Sequence, residues 1–370
     1  MRGPQVKPII IAAGGTGGHF FPAEALAAVL MQRGERVVLL TDSRSSGITS
    51  TVFENAERHV VAGAGLSGRS FGSALNGAVA LLRGVRQARA LMADLNPGAV
   101  VAFGGYPAIP PVIAARLMRQ RPMIFLHEQN AVLGRANRLL AYFSDQLALT
   151  FVKTEKIPAG KKSIVLGNPV RPAIAALYQQ GYQPPSGKIE ILVLGGSLGA
   201  KVFGSLIPAA LALLPEYLRE KLVVIQQCRQ DDAAQAQAIF QSAKINATLS
   251  PFFNNVAELL SRAHLVIARS GASTVAELAI AGRPAIFIPL PSAIDDHQRA
   301  NADALADCGA AWRMDQALLT PQILANKIET LINNPQTLES AAAAATVQGH
   351  PGAAEKLADL VQHAMAGAKL

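Results

Sequence analysis

PIIIAAGGTGGHFFPAEALAAVLMQRGERVVLLTD (residues 8–42) shows the order of features that decides the fold. An apolar, β-branched run is followed by a glycine-rich turn, a helical segment that stops at Gly34, and a second apolar run. The stretch KIEILVLGGSLGAKVFGSLIPAALALLPEYLREKLVVIQQ (residues 188–227) repeats that order. Buried strands that alternate with helices indicate parallel sheets with right-handed crossovers. The sequence therefore predicts an α/β protein with two Rossmann-like, doubly wound parallel-sheet domains facing each other across a cleft.

Apolar runs elsewhere predict further strands, at Ala99–Phe103, Met123–Leu126, Leu147–Leu149, Leu265–Ala268 and Ala285–Pro289. We expect the first domain to cover residues 1–168 and the second to cover residues 169–351. The segment 352–370 has the pattern of an amphipathic helix and is expected to pack back on the first domain.

The composition of the 370-residue chain favours a large buried core, since 50% of its residues are apolar and only 16% are charged. Its two cysteines, Cys228 and Cys308, provide neither a disulfide framework nor the spacing of a metal site. Together with the lack of any run of 18 apolar residues, they predict a protein of the reducing cytoplasm that has no membrane-spanning segment.

Positive charge is concentrated in the first half of the chain. Residues 1–170 contain 19 Lys and Arg against 9 Asp and Glu, whereas residues 171–370 contain 15 against 16. Nucleic acid is a poor fit because the basic stretch has few aromatic residues and no recognition-helix pattern. An anionic membrane surface or a diphosphate-bearing acceptor fits this half better.

The first glycine-rich turn, GGTGGH (residues 14–19), lies between a strand and a helix, where backbone N–H groups bind phosphates. Gly15 and Gly17 match the start of a dinucleotide fingerprint, and Asp42 ends the next strand. Phe20 replaces the third glycine of that fingerprint, so an NAD-linked oxidoreductase is an alternative of low weight.

A second polar stretch, ARSGASTVAELAIAGRPAIFIPLPSAIDDHQRANA (residues 268–302), follows the second glycine-rich loop, GGSLGA (residues 195–200). Glu277 lies where a carboxylate could accept hydrogen bonds from a ribose diol. The alternative is that Thr274 and Glu277 form a capping box and bind no ligand. The acidic pair before His297 could suggest a metal ion, but a polar loop that caps the next helix is the better interpretation.

These stretches resemble, in order, the motifs of the MurG family of GT-B glycosyltransferases: GGTGGHFFPA, AFGGYPAIPPVIAA, LHEQNAVLGRANR, GNPVR, GGSLGA and RSGASTVAELAIAGRPAIFIPLP with DDHQRANA. The resemblance covers about residues 9–312. It implies inverting transfer of N-acetylglucosamine from UDP-GlcNAc to lipid I, which is undecaprenyl-pyrophosphoryl-MurNAc-pentapeptide. The product would be lipid II for peptidoglycan synthesis, and with it for cell shape and division. No metal or other cofactor is obligatory in the family, and its members are peripheral proteins on the cytoplasmic face of the inner membrane.

Substrate-binding roles are implied only where a motif of this chain matches the family's. Thr16, Gly17 and Gly18 would lie near the donor diphosphate and sugar, and Asn130 would contact the sugar. Arg171 and Ser197 would hold the diphosphate, and Phe253 would contact uracil through its backbone. Gln298 would reach the sugar hydroxyls. The nucleotide would be lined by Ala272, Ser273, Thr274, Val275, Ala276 and Glu277, with Glu277 on the ribose.

Two positions depart from the family pattern: Phe253 replaces an aliphatic residue, and His297 stands where a second glutamine is common. A base is also needed for the acceptor hydroxyl. His19 is one candidate, because imidazole titrates near neutral pH. Glu128 competes with it, and a histidine directly before a helix could instead only cap that helix.

A further pattern bears on the membrane. Phe71, Leu75, Val79 and Leu82 fall on one helix face, with arginines beside them. A stripe that faces the core is the alternative. For the whole chain, the alternatives to transfer are a UDP-GlcNAc epimerase of the same fold, the NAD-linked oxidoreductase, and a non-catalytic sensor of nucleotide sugars.

Overall fold

Two compact units make up the chain. The computed structural model describes residues 7–14, 17–43, 50–62, 71–196 and 199–367, and the side chains of residues 55 and 71–76 are not among those described. The first unit comprises Met1–Arg171 and Gly352–Leu370, and the second comprises Pro172–Pro351. The expected boundary between residues 168 and 169 is therefore too early, and Arg171 belongs to the first unit.

The first unit contains a seven-stranded parallel sheet in the order β3-β2-β1-β4-β5-β6-β7. Its strands are β1 (Ile9–Ala12), β2 (Val37–Thr41), β3 (Glu57–Val60), β4 (Ala99–Ala102), β5 (Met123–Glu128), β6 (Gln146–Leu149) and β7 (Ser163–Val165). The helices are α1 (Gly17–Gln32), α2 (Phe71–Leu95), α3 (Ile109–Arg116) and α4 (Arg135–Leu140). Buried apolar side chains lie on both faces of this sheet, as a parallel sheet covered by helices requires.

The second unit contains a six-stranded parallel sheet in the order β10-β9-β8-β11-β12-β13. Its strands are β8 (Ile189–Leu194), β9 (Leu222–Gln227), β10 (Asn246–Ser250), β11 (Leu265–Ala268), β12 (Ala285–Phe287) and β13 (Ala311–Arg313). Its helices are α5 (Pro172–Ala175), α6 (Lys201–Ala212), α7 (Glu216–Arg219), α8 (Gln230–Ser242), α9 (Val256–Arg262), α10 (Ala272–Ala281), α11 (His297–Ala306), α12 (Pro321–Ile332) and α13 (Pro335–Val347).

The last helix, α14 (Ala353–Met365), lies in the first unit. Its apolar face, which includes Leu357 and Val361, is fully buried in the same core as α1. Burying two such side chains stabilises the docked helix by about 3–6 kcal/mol. At the rim of the contact, Arg33 binds Asp359 at 2.7 Å and Gln362 at 2.7 Å.

Four strands that the sequence analysis did not predict are β3, β7, β10 and β13. All four are edge strands of their sheets. β3 reads ERHV and β10 reads NATLS, so neither has the apolar run that marks a strand buried on both faces.

Each sheet has a switch point, where the chain leaves one strand to build the sheet on its other side. In the first unit this point lies between β1 and β4, and in the second unit it lies between β8 and β11. Ligands of open α/β sheets bind outside the carboxyl ends of the strands at such points. The glycine-rich turns follow β1 and β8, so the topology places one of them at each switch point.

The stripe predicted on α2 faces away from the core where its side chains are described. Val79 is 48% exposed and Leu82 is 62% exposed. The core-facing side of the helix is instead formed by Leu81, Val85 and Met92. The core-facing alternative for Val79 and Leu82 is therefore wrong, and the side chains of Phe71 and Leu75 lie outside the described residues.

Candidate functional site

His19 lies in the first turn of α1, which begins at Gly17. The alternative that His19 stands before the helix and only caps it is therefore wrong. A Cβ placed on Gly105 would be 3.7 Å from both Cε1 and Nδ1 of His19. Gly105 has a φ of +71°, a conformation that a glycine adopts without strain. The loop after β4 thus lies against the imidazole at the first switch point.

Glu128 is the last residue of β5 and is only 2% exposed. Its carboxylate accepts hydrogen bonds from the backbone N–H of Asn130 at 3.0 Å and of Gly134 at 2.9 Å. It also accepts bonds from the side-chain amides of Asn130 at 3.1 Å and Asn137 at 2.9 Å. With four donors on two oxygens, Glu128 holds the loop that carries Asn130. This arrangement suits a loop-organising role better than the role of a base.

His127, which sequence reasoning missed, connects this loop to the GNPVR segment. Its Nε2–H donates to the carbonyl of Gly167 at 2.9 Å, and its Nδ1 accepts from Gln129 Nε2 at 3.0 Å. Complete burial lowers the pKa of His127 to about 4, so the ring is neutral at pH 7. A polar residue at the carboxyl end of a buried strand was the one signal in the sequence for this residue.

Arg171 lies against the first glycine-rich segment. Its guanidinium carbon is 5.4 Å from the centroid of the Phe21 ring, half a turn beyond His19 on α1. A Cβ on Gly17 would be 2.9 Å from that same ring, so only glycine fits there without displacing Phe21. Gly17 and Arg171 thus both lie against the ring of Phe21.

The second glycine-rich loop folds back tightly after β8. Gly196 and Gly199 have φ values of +81° and +66°, and the N–H of Gly199 donates to the carbonyl of Gly196 at 3.0 Å. A Cβ on Gly195 would lie 2.6 Å from the backbone nitrogen of Ala200. The loop therefore requires its glycines for conformation and for close approach. Ser197, like Thr16 of the first loop, lies outside the described residues.

The N-terminus of α10 does not form the predicted capping box. The helix begins at Ala272 after the N-cap Gly271, and no side chain caps it. Thr274 is therefore the third helical residue rather than the N-cap, and the capping-box alternative for Thr274 and Glu277 is wrong. The backbone N–H groups of the first turn remain suited to an anion. Ser273 Oγ is buried and has no hydrogen-bond partner in the part of the chain that the structure describes.

Arg269, also missed in the sequence, fixes the loop after β12. It is 8% exposed and donates to the carbonyls of Ile288 at 2.8 Å and Pro289 at 3.0 Å, and to Gln316 Oε1 at 2.7 Å. Its guanidinium also lies 4.9 Å from the centroid of the Phe203 ring. This buried cation therefore binds backbone carbonyls at the carboxyl end of β12, the strand beside β11.

Gln298 joins the loops that follow β11 and β12. Its Oε1 accepts from the N–H of Leu290 at 2.9 Å, and its backbone carbonyl accepts from Ser270 Oγ at 2.7 Å. Its neighbour His297 donates from Nδ1 to the carbonyl of Ile294 at 2.7 Å, which closes the turn before α11. His297 thus has a local structural role at the position where the family pattern has a second glutamine.

The predicted site residues fall into two groups, each within one unit. The first unit brings together Gly17, Gly18, His19, Glu128, Asn130 and Arg171. At the switch edge of the second unit lie Phe253, which is partly exposed in the loop after β10, Gln298 and the first turns of α10. Ala272 and Val275 are buried, at 7% and 1% exposure, so they offer a ligand mainly their backbone. Among the described residues, no group of three His, Cys, Asp or Glu side chains is placed to hold a metal ion.

Each of the two units matches a known sequence family. The profile "Glycosyltransferase family 28 N-terminal domain" matches residues 9–149, and "Glycosyltransferase family 28 C-terminal domain" matches residues 190–361. The chain belongs to glycosyltransferase family 28. The resemblance that the motifs indicated, and the GT-B class of two parallel-sheet domains, are confirmed.

Relatives within family 28 cover nearly the whole chain. A Granulibacter bethesdensis protein is 54% identical over 99% of this chain and 96% of its own length, and one from Acidiphilium cryptum is 53% identical over 99% of both. Both are named UDP-N-acetylglucosamine--N-acetylmuramyl-(pentapeptide) pyrophosphoryl-undecaprenol N-acetylglucosamine transferase. The identity with these transferases decides against the oxidoreductase and epimerase alternatives.

Solved structures agree on the fold. The crystal structure of Acinetobacter baumannii MurG is 34% identical, has a TM-score of 0.78, and covers 96% of this chain and 99% of that one. A putative UDP-N-acetylglucosamine 2-epimerase from Listeria monocytogenes reaches a TM-score of 0.69 at 15% identity, covering 99% and 98% of the two chains. At that identity the likeness shows a shared fold and no shared activity.

Proposed function

We propose that this chain transfers N-acetylglucosamine from UDP-GlcNAc to the MurNAc-pentapeptide of lipid I, giving lipid II for peptidoglycan synthesis. The observation that carries the proposal is the second switch point. There the first turn of α10 follows β11, the neighbour of the strand that leads to the second glycine-rich loop. Among the described residues, no side chain caps this turn and Ser273 Oγ has no hydrogen-bond partner. Backbone N–H groups at a helix N-terminus suit a nucleoside diphosphate. The names of relatives 54% and 53% identical identify which nucleotide sugar and which acceptor.

The second unit would bind the donor. Glu277 would accept hydrogen bonds from the ribose hydroxyls, Ser197 would contact the diphosphate, and Phe253 would bind uracil through its backbone. Gln298 would reach the sugar, using its Nε2 because its Oε1 is already bonded to Leu290 N. The remaining contacts would come from the helix start formed by Ala272, Ser273, Thr274, Val275 and Ala276.

The first unit would position the acceptor and supply the base. Thr16, Gly17, Gly18, Asn130 and Arg171 would surround the reacting groups. His19 is the better candidate for the base because Glu128 is already bound by four donors. In the reaction, His19 would take the proton of the acceptor hydroxyl as its oxygen bonds to the anomeric carbon. The bond from that carbon to the diphosphate breaks, and UDP leaves with the electron pair while helix N–H groups stabilise its charge.

The acceptor is lipid-linked, so the protein must reach a membrane surface. No helix among the described residues has the length and apolarity needed to cross a bilayer. We propose instead peripheral binding on the cytoplasmic face of the inner membrane through α2 and its neighbours. Val79 and Leu82 are exposed on α2, and Arg83 and Arg86 lie beside them. Exposed apolar side chains flanked by arginines suit insertion among anionic lipids.

The transfer itself is tested with radiolabelled UDP-GlcNAc and a lipid I analogue. We expect label in the lipid fraction and release of one UDP for each sugar transferred. Conversion of UDP-GlcNAc to its 2-epimer without lipid labelling would refute the proposal in favour of the epimerase. Binding of UDP-GlcNAc with neither product would favour the sensor.

Membrane binding is tested by sedimentation with vesicles that contain anionic lipid. The double substitution of Val79 and Leu82 by Glu should abolish binding and leave the fold intact, because both side chains already face solvent. Leu318→Glu is the matched control, since Leu318 is 74% exposed on the second unit. Equal binding by the double variant and the control would refute a role for α2.

A further inference from the structure

Gln227, the last residue of β9, connects two loops of the second unit that are distant in the sequence. Its Oε1 accepts a hydrogen bond from the N–H of Gly195 at 3.0 Å. Its Nε2 donates to the carbonyl of Gly196 at 3.1 Å and to the carbonyl of Pro251 at 3.2 Å. One amide group thus binds both the second glycine-rich loop and the loop after β10.

The two loops have different ligands under the proposed function, on which this inference rests. The glycine-rich loop leads through Ser197 to α6 and would hold the diphosphate. The loop that begins at Pro251 carries Phe253, whose backbone would hold uracil. These are the two ends of UDP, so the distance between the loops must match the length of the nucleotide.

We propose that Gln227 is a positioning residue that sets the spacing between the diphosphate-binding and the uracil-binding loops of the donor site. Gln227 touches neither end of the nucleotide in this arrangement and acts through the backbone of both loops. Its amide has one acceptor and two donor hydrogens, and each of these makes one of the three bonds. No hydroxyl, carboxylate or apolar side chain of similar size can make the same three.

The local structure of each loop supports this role. The carbonyl of Gly196 also accepts a hydrogen bond from the N–H of Gly199 at 3.0 Å. Gln227 therefore binds the glycine-rich turn at its first residues. On the other side, Ser250 Oγ donates to the carbonyl of Phe252 at 2.7 Å and holds that loop in a turn. Each loop therefore has a hydrogen bond of its own, and Gln227 connects the two through its side chain.

The N–H of Gly195 is already bonded to Gln227. The N–H donors for a diphosphate would therefore come from later in the loop and from the first turn of α6. α6 begins at Lys201 after the N-cap Ala200, and no side chain of the described residues caps it. The same amide binds two carbonyl oxygens that would otherwise repel phosphate oxygens. Gln227 therefore also shapes the electrostatic character of the loop.

The experiment compares wild type, Gln227→Leu and Gln227→Glu. The leucine removes all three bonds at similar size, and the glutamate keeps only the acceptor and adds a negative charge. The control is Arg219→Leu. Arg219 also joins two segments of the second unit, because its Nη1 donates to the carbonyl of Ala243 at 2.8 Å, but this bond lies before β9 and β10, at the amino ends of the strands. The Tm of every variant shows whether the fold is intact.

The first readout is the affinity for UDP and for uridine, each measured by titration. In wild type, joining uridine to a correctly placed diphosphate makes UDP bind more tightly than uridine. We expect the ratio of the two dissociation constants to fall about tenfold in Gln227→Leu and further in Gln227→Glu, with the Kd of uridine little changed. Arg219→Leu should retain the wild-type ratio, whatever its Tm.

The second readout is the kinetics of transfer to a lipid I analogue. We expect the KM for UDP-GlcNAc to rise about tenfold in Gln227→Leu, while the KM for the acceptor and the kcat at saturating donor stay within about twofold. A wild-type protein that binds no UDP would overturn the proposed function and this inference with it. A wild type that binds UDP, with an unchanged affinity ratio in Gln227→Leu, would overturn only this inference. An equal fall of the ratio in Arg219→Leu would also overturn it, because general destabilisation would then explain the effect.

Discussion

The switch points of the two units are built from the same topology but use opposite chemistry. In the first unit, the buried carboxylate of Glu128 accepts hydrogen bonds from N–H groups that follow β5. In the second unit, the buried guanidinium of Arg269 and the amide of Gln227 donate hydrogen bonds to backbone carbonyls. At the edge of the first unit, N–H donors are bonded to the internal carboxylate of Glu128. At the edge of the second unit, side chains bind the backbone carbonyls, and the helix N–H groups are left for a ligand.

This difference shows why net charge does not indicate which unit binds the anionic nucleotide. Residues 1–170 carry the excess of Lys and Arg, yet under the proposed function the donor nucleotide would bind the second unit, whose residues are close to neutral. Local direction of N–H and C=O groups at close range outweighs a diffuse, screened surface charge. The positive charge of the first unit fits a membrane surface instead.

The largest effect that we expect from a test of the two edges is a loss of catalysis at the edge of the first unit. His19→Ala should lower kcat by about a hundred- to a thousandfold and leave the Kd of UDP-GlcNAc within a few fold, because general base catalysis is lost but donor binding is not. Initial rates at saturating donor and a direct binding titration separate the two. Unchanged turnover would remove His19 from this role.

Glu128→Gln is the comparison variant, since an amide keeps the shape of the carboxylate. We expect it mainly to lower stability, because two of the donors that face Glu128 would meet an NH2 group. A folded variant with a thousandfold lower kcat would instead identify Glu128 as the base.

A second prediction addresses the carbonyls at the second edge. Arg269→Met should weaken UDP binding about a hundredfold, because the freed carbonyls of Ile288 and Pro289 would face the diphosphate. Arg283→Met is a matched control: Arg283 is also buried and donates to three carbonyls, those of Leu260, Gly181 and Ser261, at 2.6, 3.0 and 2.9 Å. Both substitutions should lower Tm, and only the first should change the Kd of UDP. Equal losses of affinity would contradict the contrast between the two edges.

The smallest effect that we expect is a change in the free energy of unfolding with pH. Burial lowers the pKa of His127 to about 4 from 6.5. Between these values the unfolded chain binds more protons than the folded one, so the free energy of unfolding falls as the pH drops below 6.5. The full contribution is present above pH 6.5, and about 2 kcal/mol of it should be lost between pH 7.5 and pH 5.

His127→Gln tests this assignment through urea unfolding at the two pH values. The variant should be less stable at pH 7.5 but should lose less stability on acidification than wild type. Burial also lowers the pKa of His264 in the second unit, so part of the acid sensitivity should remain. An identical pH slope in wild type and variant would contradict a neutral, buried His127.

The central strands were predictable because a strand buried on both faces must be apolar. All of the strands missed were edge strands, where partial exposure removes that requirement. The boundaries shifted for a related reason: β5 continues to Glu128 and β12 stops at Phe287, since polar and proline residues at strand ends depend on what the loops contact.

The positions of the glycine-rich turns after β1 and β8 were predictable, because a motif implies local geometry there. His127, Arg269 and Gln227 were not predictable, because each acts on a backbone group that is distant in sequence. His127 reaches Gly167, and Arg269 reaches Pro289. Only the packed fold brings such groups within hydrogen-bond distance.

The sequence by itself determined two parallel-sheet units, the family and the position of a glycine-rich turn in each, because these follow from apolar periodicity and from where glycine is required. The tertiary structure decided that α10 starts without a capping box, that the described part of the α2 stripe faces solvent, and which backbone groups are already bonded at each edge. Those properties depend on burial and on long-range hydrogen bonds, which a linear pattern does not encode.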